Sequence, residues 1–302
     1  MRGYGGTQRI VAALAQGLAE LGHRVSLLAP RGTTLATATW IEVPLAVLLG
    51  PVTDLMTHVP KDAEVLHAHY PMPTVPAGIP FLQTLYGNQG ASRVVLPNNV
   101  FLSQNHARRH GGTSFVYAGL DPAAFMFRSQ KDDYDLFIGR LHSVKGYKWA
   151  IAGAKRTGRR LLLAGGWRPS LRWKTRYVGE VDGSRKRELL AGARCLWMPA
   201  LWDEPFGLTL IEALFSGTPV LGTHRGALPE IITPDVGALR DSLDELIEAS
   251  RAIQTRSPDA CRAHATRYFT HVVMAEEYVR VYRHLITSGV LPPGRPTPYT
   301  TT

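Results

Sequence analysis

Short apolar runs alternate with amphipathic runs along almost the whole chain, and that alternation leaves few folds open. It specifies an α/β protein built from parallel strands joined by helical crossovers, with helices covering the sheets. The run 7–22 places Ile10, Val11, Leu14, Leu18 and Leu21 on one helical face. Gly22 ends that helix and residues 24–30 follow as a strand. Further strands are expected within 40–44, 64–69, 80–87, 100–104 and 114–119. A polar stretch, Arg128 to Asp133, reads as a linker. Beyond it the pattern restarts: strand 134–140, helix 145–156, strands 161–165 and 177–181, helix 184–193, strand 195–199, then a helix and strand 219–223. After strand 236–240 come a helix at 242–253 and one long amphipathic stretch from Cys261 to Leu285. The division this suggests is a first α/β domain at 1–127, a second at 128–274, a helix at 275–288 returning to the first, and a disordered Pro/Thr-rich tail at 289–302.

Composition narrows the class. A chain of 302 residues with 45% apolar content can bury two ordinary cores. Cys195 and Cys261 are the only cysteines and lack metal-like spacing, so a disulfide scaffold is not indicated; Cys195 reads as a buried thiol and the compartment as cytoplasmic. No leader sequence is recognised, and the apolar run Val43 to Leu49 is too short to span a bilayer. The net charge of +10 favours anionic partners. Much of it sits in Lys155 to Arg160, Arg172 to Arg176 and Arg185 to Arg187. Without interleaved aromatic residues these clusters read as solvated surface, so no nucleic acid is expected, and peripheral membrane contact stays open.

The segment Glu204 to Glu212 sets two carboxylates eight positions apart around the start of an apolar-striped helix. Gly207 permits a tight turn, Leu208, Ile211 and Phe215 share one face, and the free N–H groups of the first turn can receive a diphosphate. Gly139, Arg140, Lys145 and Gly146 lie just past a strand end, where open α/β sheets bind ligands, and the two cations suit phosphate oxygens. Gly5 and Gly6 run directly into the first helix and allow close backbone approach. His67 and His69, two apart on a strand end, should share a face; a structural histidine and a group near reacting atoms are both compatible with that placement, while a zinc pair lacks a third ligand. Asp133 and Asp135 spell Asp-x-Asp, but at the start of a strand rather than after one. They read as solvated linker charges, with no metal site.

The block from Trp197 to Ile232, with Gly139 to Gly146 some sixty residues ahead, resembles the donor-site signature of the family-4 retaining glycosyltransferases. The resemblance implies two Rossmann-like domains facing across a cleft, the GT-B arrangement. It implies transfer of a hexose from a nucleoside-diphosphate sugar to an acceptor hydroxyl, with retention and without a metal or cofactor. A UDP-sugar comes first as donor, a GDP- or ADP-sugar second. Carried onto this chain, Arg140 and Lys145 would stabilise the departing diphosphate with the helix that opens at Gly207 and Leu208. Glu212 would hold the ribose, Glu204 the donor sugar, and His69 would stand near the reacting centre. Gly5 and Gly6 match a glycine loop over the phosphates and acceptor.

The chain also departs from that pattern. Ala118 stands where the family carries Asn, Tyr86 where it carries His, and the stretch between Gly166 and Tyr177 is shortened. Family members carry a buried strand before the glycine loop, and here the loop starts at Gly3. Either the start is truncated, the sheet closes without that strand, or another segment replaces it; an uncovered sheet edge would invite self-association. The competing readings are an epimerase or phosphorylase of the same architecture, against which the Glu204 and Glu212 block argues, and a non-catalytic or weakly active nucleotide-sugar-binding or scaffold protein.

Overall fold

The computed structural model describes residues 5–72, 74–88, 97–166 and 174–299. The chain forms two compact units, one made of residues up to Leu120 with Phe269–Arg295, the other of Asp121–Tyr268 with residues from Pro296 onward.

The first unit opens with α1 (Gly6–Glu20), whose Ile10, Leu14 and Leu18 recur at helical spacing and are buried. Strands β1 (Ser26–Ala29) and β2 (Thr39–Glu42) pair in parallel and are followed by the short helices α2 (Leu45–Leu48) and α3 (Val52–Met56). Then come β3 (Leu66–Ala68), β4 (Phe81–Thr84), β5 (Asn99–Val100) and α4 (Gln104–Arg109), capped by the Ser103 hydroxyl, which accepts from the His106 N–H. These strands do not form one sheet. β1 and β2 make a two-stranded sheet, and β3, β4 and β5 a separate three-stranded one. The strand expected at 114–119 is reduced to a single bridge between Phe101 and Phe115. The glycine-rich start is described only from Gly5, so Gly3 lies outside the described residues.

In the second unit the order is β6 (Asp135–Ile138), α5 (Tyr147–Thr157), β7 (Leu161–Ala164), β8 (Thr175–Gly179), α6 (Gly183–Gly192), β9 (Cys195–Met198), α7 (Leu208–Phe215), β10 (Val220–Gly222), α8 (Leu228–Ile231), β11 (Gly237–Leu239), α9 (Leu243–Ala252) and α10 (Pro258–Tyr268). Six strands form one parallel sheet in the order β11-β10-β9-β6-β7-β8. The order reverses at β6 and β9. Apart from Asp135 at the start of β6, their apolar sequences follow from burial on both faces, with Phe137, Leu161, Leu163 and Trp197 packed under α5 and α9. Ser242 caps α9 by accepting from the Glu245 N–H and donating to the Glu245 carboxylate.

The amphipathic stretch expected as one piece divides at Phe269 and Thr270. Thr270 caps a separate helix, α11 (His271–Ser288), which packs on α1 in the first unit. The first boundary also moves, from 127/128 to 120/121, because Phe125 stacks on Phe215 and Arg262 donates to the carbonyls of Pro122 and Phe215. The tail is not disordered through 299. Ser114 donates to the Pro292 carbonyl, Thr297 is buried and donates to the Glu230 carbonyl, and Tyr299 is hydrogen-bonded to His264. Proline gave that segment a polar, extended look, but its fixed φ lowers the entropy lost when such a strap is pinned.

Candidate functional site

Parallel sheets bind ligands beyond the carboxyl ends of their strands, at the point where strand order reverses. In the second unit that point lies between β6 and β9, and the loops leaving these two strands carry Lys145 and Glu204. The Lys145 Nζ stands 2.5 Å from the Glu204 Oε2. Trp202 donates its indole N–H to the same oxygen at 3.0 Å, and the Lys145 ammonium lies 4.4 Å from the Trp202 ring. All three are part-buried or buried, so the charges meet away from bulk water.

Backbone geometry explains the placement. Gly146 adopts φ +74° and a Cβ there would lie 1.8 Å from the Pro199 carbonyl oxygen, so only glycine lets the turn after β6 close on the end of β9. Gly207 caps α7 at φ +89°, and a Cβ there would meet the Glu204 side chain at 3.3 Å. Glu204 is therefore held against the first turn of α7. Its backbone is fixed from the other side by Ala227, whose N–H donates to the Glu204 carbonyl, and by Gly226, whose N–H donates to Asp203.

Leu208 begins α7, and Glu212 sits on it fully buried, its Oε2 2.6 Å from the Lys186 Nζ. Lys186 was grouped with Arg185 and Arg187 as solvated charge, and that expectation is corrected. Its ammonium is largely covered because a buried carboxylate needs a counter-charge. Arg140 follows Gly139 on the same turn as Lys145 but is exposed, and the ion pair with Glu204 is made by Lys145. The cationic side of the group as it stands is Lys145.

The Asp-x-Asp pair separates. Asp133 is exposed and pairs with Arg159 at 2.7 Å. Asp135, expected to be solvated, is fully buried and accepts two bonds from Arg194, at 2.7 and 2.9 Å, and one from the Trp197 indole at 2.9 Å. Its acceptors are occupied by an internal network. Lys131, read as linker, donates to the carbonyls of Ala191 and Ser216 at the ends of α6 and α7. Both cysteines are buried free thiols, and burial pushes Cys261 up to about 12.

The remaining expected residues belong to the first unit. Gly5 and Gly6 stand at the N-terminus of α1. The rings of His67 and His69 lie 4.1 Å apart on one side of β3. Tyr282 engages the His67 Nδ1 and Thr84 its Nε2, both at 2.7 Å, so His67 is committed to the packing of β3, β4 and α11. His69 uses Nδ1 on the Tyr86 hydroxyl at 2.7 Å, so Tyr86 fixes the orientation of its ring. Burial lowers His69 to about 4, and burial plus the neighbouring imidazole hold His67 well below its usual value. Both rings are neutral at pH 7.

Trp202 and Lys186 are the functional neighbours that sequence reasoning missed. Trp202 stands only two residues before Glu204, and its proximity was the available signal. For Lys186 there was none within its own run.

Residues 133–256, which lie wholly in the second unit, match the family model for glycosyl transferases group 1. A phosphatidyl-myo-inositol mannosyltransferase of Mycobacterium leprae is 30% identical over 122 residues, 38% of this chain and 33% of that protein. The matched segments thus span about a third of the length of the first such curated relatives. The crystal structure of AviGT4, a glycosyltransferase involved in avilamycin A biosynthesis, is 31% identical with a TM-score of 0.78, covering 95% of this chain and 92% of that one. HepE of Anabaena, crystallised with UDP-glucose, has a TM-score of 0.69 at 14% identity over 94% of this chain and 98% of its own, which shows a shared fold. No helix among the described residues is long and apolar enough to cross a membrane.

Proposed function

The chain belongs to the group 1 glycosyltransferases of GT-B fold, and from that premise we propose that it transfers a hexose from a nucleoside-diphosphate sugar to an acceptor hydroxyl with retention of configuration. The observation that carries this reading is the 2.5 Å contact of Lys145 with Glu204 beside the left-handed Gly207, at the reversal point of the sheet. A diphosphate seated at the first turn of α7 meets unpaired helix N–H groups and the Lys145 ammonium together. Lys145 exchanges its bond to Glu204 for one to phosphate, and Glu204 is then available to accept from donor-sugar hydroxyls. Glu212, held by Lys186, offers its carboxylate to the ribose.

In the proposed step the bond between the anomeric carbon and the diphosphate oxygen breaks, its electron pair leaving with the diphosphate. The acceptor oxygen bonds to the same face of the sugar, and its proton passes to the departing phosphate oxygen. No protein base and no metal is required. The mannose in the name of the mycobacterial relative supports a hexose, and the UDP-glucose bound by HepE supports UDP as the first nucleotide to try. His69, neutral and positioned by Tyr86, is assigned to orienting the acceptor side.

Incubation with UDP-, GDP- and ADP-glucose and the corresponding mannose donors, in the presence of mixed acceptors, should release free nucleoside diphosphate. Tight binding with no release, by hydrolysis or transfer, would replace this reading with a nucleotide-sugar-binding protein, which the altered positions Tyr86 and Ala118 favour.

A further inference from the structure

In the second unit one short helix ties the backbone of Glu204 to the tail. α8 is a single turn, and a single turn has little stability of its own, so the bonds at its two ends set its place. Its near end lies on Glu204. Ala227 donates its N–H to the Glu204 carbonyl at 2.9 Å, and Gly226 donates to the Asp203 carboxylate at 3.2 Å. Gly226 adopts φ +61°, and a Cβ there would stand 2.2 Å from the Glu204 nitrogen, so backbone rests directly on backbone.

The far end of α8 is held from outside the helix. Carbonyls in the last turn of a helix lack partners within it, and in α8 these include Glu230 and Ile231. The buried Thr297 hydroxyl donates to the Glu230 carbonyl at 3.4 Å, and the Nε2 of His264, on α10, lies 2.8 Å from the Ile231 carbonyl. Burial lowers the pKa of His264, so its ring is neutral at pH 7; a carbonyl only accepts, so the ring proton sits on Nε2. The Tyr299 hydroxyl stands 3.1 Å from that same nitrogen, and its ring lies 5.1 Å from the His264 ring and 5.4 Å from that of Tyr268. Pro296 and Pro298 flank Thr297, and their fixed φ lowers the entropy lost when the segment docks.

We propose that residues 296–299 are a positioning strap for the donor site. Thr297 and Tyr299 fix the far end of α8, α8 fixes the backbone of Glu204, and the Glu204 carboxylate is thereby kept where it reaches the hydroxyls of the donor sugar. This rests on the role proposed above for Glu204. The diphosphate is assigned to Lys145 and the first turn of α7, so the strap acts on recognition of the sugar and leaves recognition of the diphosphate alone. Thr297 and Tyr299 are positioning residues; neither is assigned a contact with the substrate.

The test is the double variant Thr297→Val/Tyr299→Phe in the full chain, which removes both hydroxyls at nearly constant volume. Calorimetric titration compares UDP with UDP-glucose, GDP with GDP-mannose and ADP with ADP-glucose. For the pair that the unaltered chain binds, the variant should weaken the nucleotide sugar about three- to tenfold, the range of one hydrogen bond, and leave the nucleoside diphosphate within about twofold. Thr297→Ser keeps the donor and should match the unaltered chain. A strap that only added stability would weaken both ligands alike or neither, and either result overturns the proposal. Amide exchange supplies a second reading without ligand. The Ala227 amide should exchange at least about threefold faster in the double variant, with Leu196 and Trp197 of β9 unchanged; an unchanged Ala227 amide also overturns the proposal. Failure of the donor-site reading looks different, because the unaltered chain then binds none of these compounds.

Discussion

In the second unit every residue of β6, β7, β9 and β10 is buried, within one sheet of six strands. In the first unit β1 exposes Ser26 and only half-buries Leu27 and Leu28, and β3 half-buries Leu66 and His67, at the edges of two separate sheets. Both units use the same crossover pattern. What differs is edge pairing, and with it the exclusion of water. A continuous sheet can tolerate a fully buried carboxylate such as Asp135, because Arg194 and Trp197 satisfy it. An interrupted sheet leaves apolar side chains partly wet and relies on a side-chain network of Thr84, His67, Tyr278 and Tyr282 to tie its strands to α11.

The sharpest way to break this contrast is Asp135→Ala, which strands a buried guanidinium. It should destabilise the second unit by about 3–5 kcal/mol, measured by denaturant unfolding. A loss below 1 kcal/mol would show that the network is not anchoring the sheet. Next is Lys145→Ala, which should weaken nucleoside-diphosphate affinity by about 10–100-fold, the range of a charge-assisted hydrogen bond, while the chain still folds, at a smaller cost in stability than Asp135→Ala because Glu204 keeps the Trp202 N–H. Calorimetric titration checks it, and unaltered affinity would remove the diphosphate from α7.

Acid sharpens the contrast between the units. Burial lowers His69 and His106 to about 4, from the usual imidazole value of about 6.5, and both lie in the first unit. Between those values the unfolded chain binds more protons than the folded one. Stability from these groups is whole above pH 6.5 and is lost as pH falls toward 4, by roughly 3 kcal/mol for each. Hydrogen exchange at pH 5 against pH 7.5 should open β3 and α4 before β9. The reverse order would contradict the burial of these rings. Smaller effects are expected elsewhere. Trp202→Phe keeps the ring over Lys145 but removes the indole donor, and should raise KM for the donor by a few-fold, about 1 kcal/mol. Leu28→Ala, at the wet edge of β1, should cost less than about 1.5 kcal/mol, below the usual 2–5 for a core leucine.

Much of this molecule was legible from residue order. The runs at 161–165 and 195–199 became strands because a segment covered on both faces must be apolar throughout, and local composition carries that requirement. The pairing of Gly207 with Glu204 was legible for a similar reason, since a left-handed cap beside a carboxylate is a local feature. Lys186 was not. Its neighbours Arg185 and Arg187 are solvated, and only the packing of α6 beside α7 decides which of three adjacent cations meets Glu212. The same applies to Asp135, whose Arg194 partner is 59 residues away, and to the tail, whose prolines look the same whether pinned or free.

The sequence by itself determined the alternation of strand and helix, the glycine turns and the residue types gathered after β6 and β9, because these depend on covalent geometry and on periodicity within a few residues. Tertiary structure alone decided which charges are buried and paired, where one unit ends and the other begins, and that the described strands of the first unit fall into two sheets. Those outcomes depend on which distant edges meet and on how much water is left between them.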